Sequence, residues 1–136
     1  MQITRQADYA VRAIMYLAKL GPDEKAATSQ IAEEQEIPLS FLAKIIAQLS
    51  VAGLLQTMRG ARGGVTLARP AEDISLLEVV EAIDGPIMLN ECVNGGYDCP
   101  LSSCLMRKVW TEAQADLVKR LKATTFGEFV REAATA

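Results

Sequence analysis

The chain has no histidine and only three cysteines among its 136 residues. A structural zinc takes four ligands, usually thiolates or thiolates with imidazoles. With no imidazole and no CxxC pair, the sequence argues against such a site. Long apolar runs are also missing: none approaches the roughly 20 residues that span a membrane. The opening stretch, MQITRQADYAVRAIMYLAKLGPDE, breaks its apolar periodicity with Arg5, Asp8 and Arg12. It lacks the continuous apolar centre and small-residue cleavage site of a signal peptide. The expectation is a cytoplasmic protein, where thiols stay reduced. An odd number of cysteines likewise argues against a closed disulfide framework. No internal repeat, low-complexity segment or acid–base constellation of an enzyme is visible.

One absence is local. No Asp or Glu occurs between Glu36 and Glu72, yet that window keeps Lys44, Arg59, Arg62 and Arg69. Net charge is −3 overall. It divides unevenly: eight basic and six acidic side chains lie in residues 1–70, six basic and eleven acidic in 71–136. A segment emptied of carboxylates while keeping arginines suits a surface that meets a polyanion. The competing reading is chance together with a buried helix, because residues 41–55 are mostly apolar.

Thr4 opens a helical pattern of Ala7, Ala10, Val11, Ile14, Met15, Leu17 and Ala18, which Gly21-Pro22 stops. ATSQIAEEQEIP predicts a short second helix with Thr28 or Ser29 as N-cap and Ile31 and Ala32 inward. It ends at Ile37-Pro38. PLSFLAKIIAQLSVAGLL predicts a third helix, capped by Ser40 and closed by Gly53. Its apolar stripe is Phe41, Leu42, Ile45, Ile46 and Leu49. Two short helices joined in this way form a helix-turn-helix pattern. LLQTMRGARGGVTLARP then reads as strand, glycine-rich turn and strand over 54–58 and 65–67, with Arg59 and Arg62 in the turn. A helix-turn-helix followed by an arginine-tipped hairpin is a winged helix. Its helix enters the major groove, and its wing meets the minor groove or the backbone. The alternative for Gly-Ala-Arg-Gly-Gly is an enzyme's phosphate loop. The P-loop lysine and its hydroxyl neighbour are missing, and a strand follows where a helix is needed.

Ser75 caps SLLEVVEAIDG, which Gly85-Pro86 ends. From about Ser102 to Lys122 runs the longest helical pattern of the second half, carried by Leu105, Val109, Trp110, Ala113, Leu117, Val118 and Leu121. Thr125 caps a last short helix around Phe126, Phe129 and Val130. One winged helix reads a half-site and dimers read two, so 102–122 is predicted as a dimerisation helix. Packing of that helix on its own winged helix is compatible. The expected fold is mainly α with a small β-hairpin wing: a winged helix-turn-helix plus a long C-terminal dimerisation helix. Residues 1–70 form the DNA-binding domain. Residues 71–136 hold the cysteine loop and dimerisation helices, in one continuous unit.

Cys92, Cys99 and Cys104 lie within a polar, glycine-bearing stretch, CVNGGYDCPLSSC, which does not read as core. Two chemistries stay open. Arg107 and Lys108 follow Cys104, and positive neighbours favour a reactive thiolate. Soft thiolates in a flexible loop also hold iron–sulfur clusters, where three thiolates leave one iron open or held by a weaker oxygen ligand.

ITRQADYAVRAIMYLA, then PLSFLAKIIAQLSVAGLLQTMRGARGGVTLARP, then the three-cysteine loop resemble the Rrf-two family of bacterial transcription regulators, from Gln2 to about Val130. The resemblance implies a homodimer with a long crossing helix and a cluster loop near its N-terminal end. It also implies palindromic operator binding gated by cluster state. Cys92, Cys99 and Cys104 match the family's cluster cysteines, although the family also has cluster-free members. IscR-like members carry a histidine ligand three residues after the third cysteine. Here that position is Arg107, which excludes that ligand set. NsrR-like members use an aspartate in the first helix of the other subunit, matched here by Asp8. A hard carboxylate is a readily displaced partner for iron, and its release would free the first helix beside the helix-turn-helix. The residue-level alternative for Asp8 is a helix-face pair with Arg5 or Arg12. The family's RGxxGG wing is kept at 59–64, and Ala43 stands where IscR-like members have a specificity-tuning glutamate.

These residues imply DNA contacts from Ser40, Phe41 and Lys44 on the recognition helix and from Arg59, Arg62, Gly63 and Gly64 in the wing. Thr28, Ser29 and Gln30 would meet phosphate. The function expected is a transcription repressor that binds double-stranded DNA. Its iron–sulfur cluster, [4Fe–4S] in preference to [2Fe–2S], would sense nitric oxide, oxygen or iron status. A cluster-free thiol switch is the alternative. An iron–sulfur electron carrier or enzyme is a third reading, opposed by the acid-free window with its arginines.

Overall fold

A computed structural model describes residues 2–94, 100 and 104–135. The first helix, α1 (Arg5–Leu20), starts where the Thr4 hydroxyl accepts the Ala7 N–H at 3.1 Å, which satisfies one of the orphan donors of a helix N-terminus. It buries Ala7, Ala10, Ala13, Ile14, Leu17 and Ala18, and its alanines let the neighbouring helices approach closely.

Helices α2 (Thr28–Glu34) and α3 (Leu39–Val51) follow. Their caps differ from the sequence reading. Ala27 and Pro38 occupy the N-cap positions, and neither makes a side-chain cap bond. Thr28, Ser29 and Ser40 therefore lie within first turns. The reason is local in each case. Ala26 pairs through both backbone groups with Val65, at 3.1 and 2.8 Å, which delivers the chain to helix at Ala27. Pro38, at φ −56°, is already preset for helix entry. Phe41 also departs from the packing stripe. It is 48% exposed, whereas Leu42, Ile45, Ile46 and Leu49 are buried.

Strands β1 (Leu55–Met58) and β2 (Gly64–Leu67) pair antiparallel, with Leu55 opposite Leu67 and Met58 opposite Gly64. Ala26 extends this hairpin by one bridge at Val65. A short 3-10 turn at Ala71–Asp73 leads to α4 (Leu76–Asp84). There Ser75 and Glu78 form the reciprocal capping box, a pair that satisfies two helix-end donors at once. Helix α5 (Leu105–Ala123) has Cys104 at its N-cap, and α6 (Phe126–Thr135) closes the chain.

The two halves share one core. Ile14 and Leu17 of α1 meet Leu42, Ile45 and Leu49 of α3, Leu54, Ile74 and Val79, together with Phe126 of α6. Phe126 is fully buried and stands edge-on to Phe129, with centroids 5.5 Å apart. Its backbone N–H donates to the Ile74 carbonyl at 3.0 Å. Truncating such a side chain to alanine costs about 3–5 kcal/mol. A second cluster joins Leu77, Val80 and Ile87 to Leu117, Val118 and Leu121 of α5.

Candidate nucleic-acid interface and cysteine segment

The second helix of the helix-turn-helix, α3, buries one face and leaves the other open. Ser40, Phe41, Ala43, Lys44 and Ala47 are all exposed. The turn before it passes through Glu36 in the left-handed region, φ +54°, while Ile37 plugs into the core. The plug fixes the angle at which α3 leaves the body. On α2, Ser29 and Gln30 are exposed and Thr28 is half-buried. The Gln30 side-chain amide donates to the Tyr16 hydroxyl at 2.9 Å. Glu34 accepts from the same hydroxyl, and that bond holds the Tyr16 proton above the ordinary phenol range. These contacts tie α2 to α1.

At the wing, Arg59 and Arg62 are exposed and make no ion pair among the described residues. Gly63 has a steric role. A Cβ there would lie 2.2 Å from the Met58 carbonyl oxygen. At Gly64 it would lie 3.1 Å from the Ala26 carbonyl oxygen. The two glycines let the hairpin fold tightly. Sequence reasoning missed Lys25, whose Nζ donates to the Arg62 carbonyl at 3.1 Å. It braces the tip and adds a cation beside the two guanidinium groups. Its place after a Gly-Pro turn gave no periodic signal.

Asp8 sits in the first turn of α1. Its carboxylate accepts from Arg12 at 3.1 Å (Nε) and 2.9 Å (Nη2). Arg12 also stacks over the Tyr9 ring at 5.5 Å. Its other guanidinium nitrogen donates to the Gln35 carbonyl at 3.4 Å, at the C-cap of α2. A continuous polar path therefore runs from Asp8 to the turn of the helix-turn-helix. Of the two helix-face partners weighed for Asp8, the structure pairs it with Arg12.

Cys92, in a 3-10 turn at Glu91–Asn94, and Cys104, at the N-cap of α5, are free thiols of intermediate exposure. Cys99 lies outside the described residues, as do Ser102 and Ser103. Among the described residues no three Cys, Asp or Glu side chains gather to hold a metal. As donors, thiolates are the soft ligands that hold iron–sulfur clusters. The approach to Cys92 is pinned: the Leu89 N–H donates to the Gln114 side chain of α5 at 2.9 Å. Beyond Cys104, α5 leaves Leu105, Met106, Val109 and Trp110 exposed. Farther along, Leu117, Val118 and Leu121 pack on the body. Among the described residues no helix is long and apolar enough to cross a membrane.

The family model Rrf2, described as an iron-dependent transcriptional regulator, matches residues 3–132. Protein aau3 of Rhizobium meliloti is 36% identical over 133 residues, covering 96% of this chain and 86% of that protein. The solved structure of IscR from T. potens superposes with a TM-score of 0.79 at 25% identity, covering 98% of this chain and 88% of that one. CymR, the global cysteine regulator of B. subtilis, superposes at 0.82 with 20% identity, covering 97% and 98%. That last likeness bears on the fold alone.

Proposed function

We infer, from the premise that this chain belongs to the Rrf2 family of transcription regulators, that it is a homodimeric repressor gated by an iron–sulfur cluster. It is a regulator and not an enzyme. Residues 1–70 read a palindromic operator, and residues 71–136 supply the sensor and the dimer contact. Cys92, Cys99 and Cys104 hold the cluster, [4Fe–4S] in preference to [2Fe–2S], with Asp8 of the second subunit as its fourth ligand. When bound, that group would supply iron reactive toward nitric oxide or oxygen.

The observation that carries this reading is the path from Asp8 through Arg12 to the Gln35 carbonyl. An Asp8 carboxylate that served as ligand would be withdrawn from Arg12. A released carboxylate returns to the guanidinium and fixes how Arg12 grips the end of α2. The position of α2, and through it α3, then follows the state of Asp8. The exposed apolar run Leu105, Met106, Val109 and Trp110 supports a dimer contact. It begins beside Cys104, so the second subunit lies close to the cysteine segment.

A second reading is favoured by the free, partly exposed thiols of Cys92 and Cys104: a cluster-free switch in which two cysteines oxidise. One experiment separates the two. Iron, acid-labile sulfide and visible absorption are measured on protein purified without oxygen, with operator binding in parallel. About four irons and four sulfides per chain, with binding that changes on nitric oxide addition, supports the cluster. A colourless protein that resists reconstitution, but whose DNA binding responds to a thiol oxidant, supports the switch and overturns the cluster.

A further inference from the structure

The outward face of α3 has an unusual chemical balance for a reader of base edges. Its polar groups are one hydroxyl, one ammonium and one amide: Ser40, Lys44 and Gln48. Between and beside them stand Phe41, 48% exposed, and the exposed methyl groups of Ala43 and Ala47. The helix carries no arginine and no carboxylate. Guanine is read most strongly by a bidentate cation, and arginine is the commonest. Cytosine is read by a carboxylate that accepts from its amino group. Lys44 is the helix's one cation able to meet a guanine, and no carboxylate is there for cytosine. Thymine differs from the other bases in the major groove by its C5 methyl, which is read by apolar contact with Ala or Phe. The surroundings select DNA as the occupant of this apolar surface. No acidic residue lies between Glu36 and Glu72, and Arg59 and Arg62 of the following wing are exposed.

We propose that α3 is a thymine-methyl reader, in which Phe41 with Ala43 and Ala47 specifies A·T-rich half-sites by apolar contact. This rests on the winged-helix reading of α3 and adds the chemistry by which it discriminates. Phe41 is the specificity-determining residue. Its ring lies off the buried stripe, with Lys44 as its i+3 neighbour and Gln48 four residues beyond Lys44. Lys44 holds the backbone or a purine acceptor, and Gln48 has the amide suited to adenine.

The test begins with selection of duplexes from a random-core library by the full-length protein. Thymines within the selected half-sites are then replaced one at a time by deoxyuridine, which removes only the methyl. Each contacted methyl is expected to weaken binding about four-fold, equivalent to about 0.8 kcal/mol for one buried carbon. Changing the matched position in both half-sites should give about sixteen-fold. Phe41→Ser, at an exposed position, should fold normally by thermal melting. It should lose sensitivity to deoxyuridine at one position while keeping its salt slope. Selected duplexes that bind tightly but ignore deoxyuridine overturn the proposal and leave the winged helix standing. A Phe41→Ser variant as sensitive as the wild type overturns it too. Failure of the wild type to enrich any sequence overturns the operator reading and this proposal together.

Discussion

Replacing Gly63 by alanine probes the wing at its tightest point. The added carbon would lie 2.2 Å from the Met58 carbonyl oxygen, 2.8 Å from the Arg59 carbonyl carbon and 2.9 Å from the Gly60 oxygen. All three are backbone atoms, so no side chain can rotate away. The Gly63 N–H also donates to the Gly60 carbonyl at 2.9 Å and closes the tip. Restoring ordinary contact requires the turn to open by on the order of 1 Å, at a cost of about 1–3 kcal/mol typical of overpacking. None of these residues belongs to the buried core, so the strain stays in the hairpin and the global melting temperature falls by only a few degrees. Arg62 is the next residue and is displaced with the turn. If each wing neutralises one phosphate through Arg62, a dimer loses two. The slope of log affinity against log salt then falls by about 1.8. Fluorescence anisotropy with a selected operator duplex at several salt concentrations reads both quantities. Gly60→Ala is the matched comparison. It stands at φ +99° with open space around the added carbon, so it strains the backbone by about 1–2 kcal/mol without a clash. A folded Gly63→Ala protein with wild-type affinity and slope refutes the wing argument.

Arg12→Ala removes the link between Asp8 and the Gln35 carbonyl. Stability should change by less than about 1 kcal/mol, as for other exposed pairs. Operator affinities before and after nitric oxide treatment should converge in anaerobic titrations. Val109→Glu puts a charge in the exposed apolar run of α5 and should shift sedimentation from dimer toward monomer; an unchanged dimer would exclude that face. Burial pushes the Glu78 carboxyl up, but the Ser75 backbone N–H and Arg69 outweigh it and hold it below the usual value. A depressed folded pKa gives stability that is present above the ordinary glutamate pKa of about 4.3. That stability is lost as pH falls through the lower folded value. Glu78→Gln should therefore flatten the acid side of a melting-temperature profile below about pH 4.

Local chemistry decided which parts of the fold were legible. Thr4 and Ser75 cap helices because each hydroxyl has a free helical N–H within reach, a signal carried by three or four consecutive residues. Ser40 failed as a cap because Pro38 had already begun the helix. Thr28 and Ser29 failed because a contact to Val65, distant in sequence, set the start of α2. Phe41 was misassigned for a different reason. A hydrophobic residue adjoining a stripe reads as core, and only the three-dimensional turn angle shows that it faces outward. The acid-free window spans Lys44, Arg59 and Arg62, all of which are exposed. Arg12 was visible as a partner for Asp8, but its reach to Gln35 depends on tertiary packing.

The bridge between Ala26 and Val65, with Lys25 braced on the Arg62 carbonyl, makes the segment entering α2 part of the wing itself. The start of α2 and the wing are thus fastened together and do not swing independently. On the proposed reading, each subunit is a caliper whose helix and wing contacts on DNA keep the spacing that this fastening sets. Tolerance for operators of different centre-to-centre spacing then comes, on that reading, from the contact between subunits along α5. By the same proposal, a signal relayed through Arg12 to the end of α2 carries the wing with it.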